Sequence, residues 1–132
     1  MEKIFVEKIL IDTCIFIDIF RGNRILLEEI IKLPNSFINS IIYMELVQGA
    51  RNKTELQKIL RFLKRFKMIF IDEIISQKAM ELIVSYNLSY NLLLADAIIA
   101  ATCLTKDLKL FTFNRKDFAY IEGIKFFDLK IK

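Results

Sequence analysis

The sequence predicts an α/β fold, a three-layer α/β/α sandwich around a mostly parallel sheet of about five strands. Three observations predict it. Short apolar runs that read as buried strands alternate with longer stretches of helical periodicity, mostly singly and sometimes in pairs. That alternation is the pattern of a parallel sheet with helices on both faces. Only 3 Gly and 1 Pro punctuate 132 residues, so the connections are short. An apolar fraction of 55% at this length suits one compact domain over residues 1–132 with a real core.

Lys8–Asp12, centred on Ile9-Leu10-Ile11, is the first strand. Cys14–Phe20 is a short helix ending near Gly22. Arg24–Leu33 is helical, with apolar residues at 26, 27, 30, 31 and 33, and it stops before Pro34. Ser36–Asn39 is the second strand, and Ser40 is the expected cap of a helix from Ile41 to about Gly49. Thr54–Phe66 is strongly amphipathic. Leu56, Ile59, Leu60, Leu63 and Phe66 share one side, and Lys58, Arg61, Lys64 and Arg65 spread over the other. Met68–Ile71 is strand three, Ile74–Tyr86 and Leu92–Thr105 are helices, and Lys109–Phe113 and Lys125–Phe127 are strands four and five.

Charge and composition narrow the function. The net charge of +4 permits a nucleic-acid partner without demanding one. Residues 51–67 hold 7 basic side chains against one acid, Glu55. As a functional feature, Arg61, Lys64 and Arg65 would steer nucleic-acid phosphates; as a bland one, they are a solvated helix face. The chain has 0 His, which removes His general bases, His–Cys dyads and imidazole metal sites. Cys14 and Cys103 sit in apolar surroundings and read as free thiols of a reducing compartment. No charge-free run of 18 apolar residues occurs and no signal-peptide pattern opens the chain. A soluble cytoplasmic protein without a membrane partner is expected.

Several polar groups stand where the elements want to be buried. Asp12 ends the first strand. Glu45 lies in "YMELVQGA", Asp96 in "LLLADAIIAATCL", and Thr112, Asn114 and Asp117 in "LFTFNRKDF". Singly, each has an ordinary reading: Asp12 and Asp96 as helix caps, Glu45 as a solvated side chain, Asn114 and Asp117 as a turn. Together they point to one place. Asp12 and the 112–117 segment follow parallel strands, so they belong at the carboxyl edge of the sheet, where such folds bind ligands. Two carboxylates about 4 Å apart repel by roughly 4 kcal/mol at an effective dielectric of 20. A cluster of acids must therefore take up protons or bind a cation. With oxygen donors and no His or thiolate site, the fitting cation is Mg²⁺ or Mn²⁺.

The stretches "LIDTCIFID", "MELVQGA", "ADAIIAATCL" and "FTFNRKDF" resemble, in order and over essentially the whole chain, those of PIN-domain ribonucleases. The resemblance is specifically to VapC-type toxins of VapBC toxin–antitoxin pairs. It implies a PIN-like sandwich and a Mg²⁺- or Mn²⁺-dependent endoribonuclease. It makes Asp12, Glu45, Asp96 and Asp117 catalytic candidates, and Asp12, Asp96, Asn114 and Asp117 metal candidates. The family's fourth acidic position falls on Asn114, with Asp117 three residues on, so either one fills it. Thr13 and Thr112 match small polar positions that orient the acids. An RNA substrate, a VapB-like antitoxin and a homodimer are the implied partners.

Other readings stand beside this one. An RNA-processing subunit or a catalytically weak interaction module would keep the same fold. A receiver-like signalling domain would use Asp12 and Asp72, but it wants an acidic pair after strand one, where Thr13 follows Asp12, and it leaves Glu45 and Asp96 unexplained. Tyr43, Tyr86 and Tyr90 serve as packing residues or as base-stacking ones.

Overall fold

The computed structural model describes residues 7–129. Its elements run β1 (Ile9–Ile11), α1 (Thr13–Phe20), α2 (Arg24–Ile31), β2 (Ser36–Asn39), α3 (Ser40–Gln48), α4 (Lys53–Leu63), β3 (Lys67–Ile69), α5 (Glu73–Tyr90), α6 (Leu94–Lys106), β4 (Lys109–Phe111) and a 3-10 turn at Arg115–Asp117. The strands form one sheet in the order β3-β2-β1-β4, and every pairing is parallel. Leu10 lies opposite Leu110, and Ile38 opposite Met68.

This order follows from the connections. The steps from β1 to β2 to β3 run one way across the sheet, and the step from β3 to β4 runs back past β1. Right-handed crossovers then put α1–α4 on one face and α5 and α6 on the other. A strand covered on both faces needs apolar residues at every position. Ile9, Leu10 and Ile11 of β1 are all buried.

The predicted fifth strand, Lys125–Phe127, is reduced to an isolated bridge between Leu110 and Phe126. The Leu110 N–H donates to the Lys125 carbonyl at 2.8 Å, and the Phe127 N–H to the Leu110 carbonyl at 2.9 Å. The sheet therefore has four strands rather than about five. Side chains set two further boundaries. β3 ends at Ile69 because the Ile71 N–H goes to the Ser40 hydroxyl at 3.1 Å instead of to a neighbouring strand. The cap of α3 is Asn39, not Ser40: its Oδ1 accepts from the Ile42 N–H at 2.9 Å. The Asn39 amide donates in turn to Thr102 Oγ1 on α6 at 3.0 Å, which satisfies a fully buried side chain.

The amphipathic helix α4 is anchored by aromatic rings. Phe16 meets Phe66 edge-on at 5.0 Å and Phe62 at 6.1 Å, and Phe62 meets Phe20 at 5.8 Å. Such pairs each contribute roughly 0.5–1.5 kcal/mol beyond the area they bury. They pin the apolar side of α4 to α1 and leave Arg61, Lys64 and Arg65 exposed. Phe16 is fully buried whereas Phe20 is 40% exposed. Phe16→Ala is expected to lower unfolding free energy by about 3–5 kcal/mol, and Phe20→Ala by clearly less. Urea midpoints at unchanged slope test this, and equal losses would contradict the assignment of Phe16 to the centre of the cluster.

Candidate active site

The strand order changes direction at β1 and β4, which makes the crevice beyond their carboxyl ends the ligand position of an open α/β sheet. Asp12 follows β1 there, and Thr112 follows β4. The Asp12 N–H continues the ladder to the Phe111 carbonyl at 3.0 Å. Asp12 is 6% exposed. Its Oδ1 accepts the Thr13 N–H at 2.7 Å, so it caps α1. Its Oδ2 accepts the Thr112 hydroxyl at 2.8 Å and the Cys14 thiol at 3.7 Å. Burial still pushes the Asp12 carboxyl above its ordinary range, against the lowering pull of those hydrogen bonds.

Glu45 and Asp96 arrive from helices. Glu45, on α3, is partly buried, and its Oε1 accepts the Thr13 hydroxyl at 2.9 Å. Thr13 thus joins Asp12 through its backbone and Glu45 through its side chain. Asp96 is the third residue of α6, whose cap position, Leu93, supplies no side-chain bond. The helix start favours a carboxylate. Burial, followed by the charges of Asp12, Asp117 and Glu45, outweighs that and pushes the Asp96 carboxyl up to about 6. The four acids therefore share one electrostatic neighbourhood.

The 112–117 segment forms the remaining wall. Thr112 Oγ1 accepts the Asn114 N–H at 3.0 Å, and the Asp117 N–H donates to the Asn114 carbonyl at 3.0 Å. These side-chain and turn bonds end β4 at Phe111, two residues before its predicted limit. Asn114 and Asp117 are both exposed. The Asp117 charge reaches Asp12 and Asp96 and raises both, so of the pair it is Asp117 that adds negative potential to the site. Asp72 caps α5 and pairs with Lys106 at 2.6 Å, and its charge is not among those acting on Asp12 or Asp96.

The donor set is entirely of oxygens, which suits a hard divalent ion. Among the described residues no three acidic or thiol side chains converge as a ready-made ligand group. Mg²⁺ fits that arrangement, since it keeps several waters and is held by one or two carboxylates. Among those residues, too, no Lys or Arg forms an ion pair with Asp12, Glu45, Asp96 or Asp117.

A groove of ≈ 630 Å³ opens beside Glu45, and its basic lining residues are Arg21, Arg51 and Lys58. Arg61, on the same helix as Lys58, and Lys64 and Arg65, at and just past its end, lie outside this lining. Arg51 is engaged by Glu55 at 2.9 Å, so Arg21 and Lys58 are the cations left facing the groove. Arg21 sits outside the basic run of residues 51–67 and carried no sequence signal. Cys14 was legible as a thiol but not as a ligand of Asp12; it also accepts the Phe113 N–H at 3.5 Å. Among the described residues no helix is long and apolar enough to cross a membrane.

Asp96 yields a pH-dependent test. Its ordinary value is 3.8, and its folded value is about 6. Between them the folded state holds the extra proton, so this group withdraws stability as pH rises through that window. Asp96→Asn should stabilise the metal-free protein above about pH 6, by about 1–2 kcal/mol once discounted for partial exposure, with the gain vanishing near pH 4. Urea unfolding in chelator at both ends of the window measures it, and an equal change at both would contradict the electrostatic origin.

Comparison with known proteins identifies the family. The PIN domain family model matches residues 9–124. The chain is 33% identical over 133 residues to Ribonuclease VapC1 of Methanocaldococcus jannaschii, covering 95% of this chain and 87% of that protein. It is 36% identical to a chain of a toxin–antitoxin complex from Klebsiella pneumoniae, with a TM-score of 0.73 over 89% of this chain and 95% of that one. DNA-bound VapBC from Salmonella typhimurium shares the fold, with a TM-score of 0.75 at 23% identity over 95% of this chain and 100% of that one. The chain belongs to the PIN-domain family, and within it resembles the VapC ribonucleases.

Proposed function

We propose that this protein is a divalent-metal-dependent endoribonuclease, the VapC-type toxin of a toxin–antitoxin pair, built as a single PIN-like domain over residues 1–132. The observation that carries the reading is the carboxylate edge. Asp12 is buried and held by three donors, and the Asp96 carboxyl is raised to about 6 beside three further acids to which, among the described residues, no basic side chain is paired.

Asp12 and Asp96 would hold Mg²⁺ or Mn²⁺, with Asp117 or the amide oxygen of Asn114 completing the set directly or through water. When bound, such an ion lowers the pKa of a water and neutralises charge that builds on the phosphate oxygens. Thr112 and the Thr13 N–H keep the Asp12 oxygens oriented. Thr13 fixes Glu45 through Oε1 and leaves Oε2 to take a proton from the attacking water. In-line attack on phosphorus leaves a 5′-phosphate and a 3′-hydroxyl. The RNA 2′-hydroxyl is not the nucleophile, which suits a site without His. Arg21 and Lys58 steer phosphates into the groove, and the exposed Arg61, Lys64 and Arg65 extend that field.

A VapB-like antitoxin and a second copy of the chain are the proposed protein partners. Met80, Val84 and Leu88 on α5 are exposed apolar side chains available to such contacts. Location in the cytoplasm fits the free thiols Cys14 and Cys103. A second reading, a catalytically weak interaction module, draws on Asn114 at the family's fourth acidic position and on the lack of a converged three-acid group among the described residues.

The experiment is cleavage of structured RNA in Mg²⁺ or Mn²⁺ and again with chelator. Activity is expected only with the ion; activity that survives chelation removes the metal mechanism, and none under either condition leaves the weak module. Asp12→Asn and Asp96→Asn should each lose at least about 100-fold in rate; wild-type rates would misplace the site. Thr112→Val should lower the rate about 10–100-fold while Thr112→Ser retains it, because only the hydroxyl reaches Asp12. Equal rates for the two Thr112 variants would deny it an orienting role.

A further inference from the structure

Three tyrosines gather at the rim of the acidic edge. Tyr90 and Tyr120 stack in parallel, with ring centroids 4.2 Å apart and planes 3° from parallel. Tyr86 packs against Tyr120 at 5.3 Å and against Tyr90 at 6.1 Å. The Tyr86 hydroxyl accepts the Glu122 N–H at 3.2 Å, which fixes the inner ring. Tyr90 ends α5, and Asn91, in the left-handed conformation at φ 57°, turns the chain directly into α6 and Asp96. Tyr120 follows Asp117 by three residues. The stack thus ties the segment carrying Asp96 to the segment carrying Asp117.

We propose that Tyr90, backed by Tyr120 and Tyr86, is a stacking platform for an unpaired base of the RNA next to the scissile phosphate. The proposal rests on the ribonuclease reading of the same site and adds to it a determinant of which nucleotide sits there. Packing alone does not account for the arrangement. Tyr120 is half-buried between its neighbours, but Tyr90 is 55% exposed and has no core to fill. A flat ring held rigid from behind and open in front is what a base can stack on at little ordering cost. Charge favours a base over other occupants. The acids repel a phosphate that lacks a cation, whereas the π-face of a base carries no net charge and approaches them freely. Tyr120 itself lies in the field of Asp96 and Asp117.

The test first maps where the wild-type protein cuts total bacterial RNA in Mg²⁺, by sequencing the new 5′ ends. An oligoribonucleotide spanning the most frequent cut then serves as the kinetic probe. Tyr90→Ala is expected to raise KM about tenfold, with the effect on KM rather than kcat, and Tyr90→Phe to restore it. Replacing the flanking nucleotide of the probe by an abasic one should weaken the wild-type reaction and leave Tyr90→Ala indifferent. A thermal melt of each variant separates these effects from unfolding, and Tyr120→Leu, which removes the backing ring but keeps an apolar side chain, serves as the second variant. Unchanged KM in both variants, a loss confined to kcat, or a weakened protein partner with intact RNA cleavage overturns the platform alone. No wild-type cleavage in Mg²⁺ or Mn²⁺ overturns the ribonuclease reading and the platform with it.

Discussion

A carboxylate buried at the end of the central strand is the constraint on which the rest of this structure turns. Asp12 gives up water almost entirely, and an ionised group in that position is costly by several kcal/mol unless something replaces the water. The fold answers with donors from three places: the Thr13 N–H, the Thr112 hydroxyl and the Cys14 thiol. Thr112 is 100 residues away in the chain and comes within reach only because β4 pairs beside β1. The demand of one side chain is thus met by the topology of the sheet.

That topology also explains why the acids fall along one edge. Parallel strands send all their carboxyl ends to one edge, and the helices that follow begin there. Asp12 leaves β1 at that edge, Glu45 rides on the helix after β2, and Asp117 sits in the turn after β4. Asp96 comes from the helix that precedes β4, brought up by the short turn at Asn91. Burial first, and then their repulsion, raises the Asp96 carboxyl, which the favourable helix start does not offset. Elsewhere the polar groups are settled, and among the described residues no buried side-chain nitrogen or oxygen lacks a partner.

Much of this was legible before any coordinates. Among the described residues the four strands, the six helices and their order follow from apolar runs and helical spacing, and Asp12, Glu45 and Asp96 stood out because each interrupts an apolar stretch. The errors have local causes. Ser40 and Asn39 are both good caps, and the choice went to Asn39 because Thr102 on α6 waits for its amide. The segment 125–127 has strand-like residues but makes only one bridge. The helix α5 runs four residues past its expected end at Tyr86, to Tyr90, where the last turn is held by contacts with Tyr120. Tyr120 drew no attention in the sequence because its meaning depends entirely on Tyr90, thirty residues earlier.

The sequence by itself determined the class of fold, the all-oxygen donor set and the family, because those depend on residue type, periodicity and short motifs read along the chain. Only the tertiary structure decided that the Asp117 charge reaches Asp12 and Asp96, that Arg21 and Lys58 rather than Arg61 border the groove, and that Tyr86, Tyr90 and Tyr120 meet. Those outcomes rest on angles and distances between elements far apart in the chain. Electrostatic potential and ring stacking depend on separation in space, and spacing along the chain does not encode it.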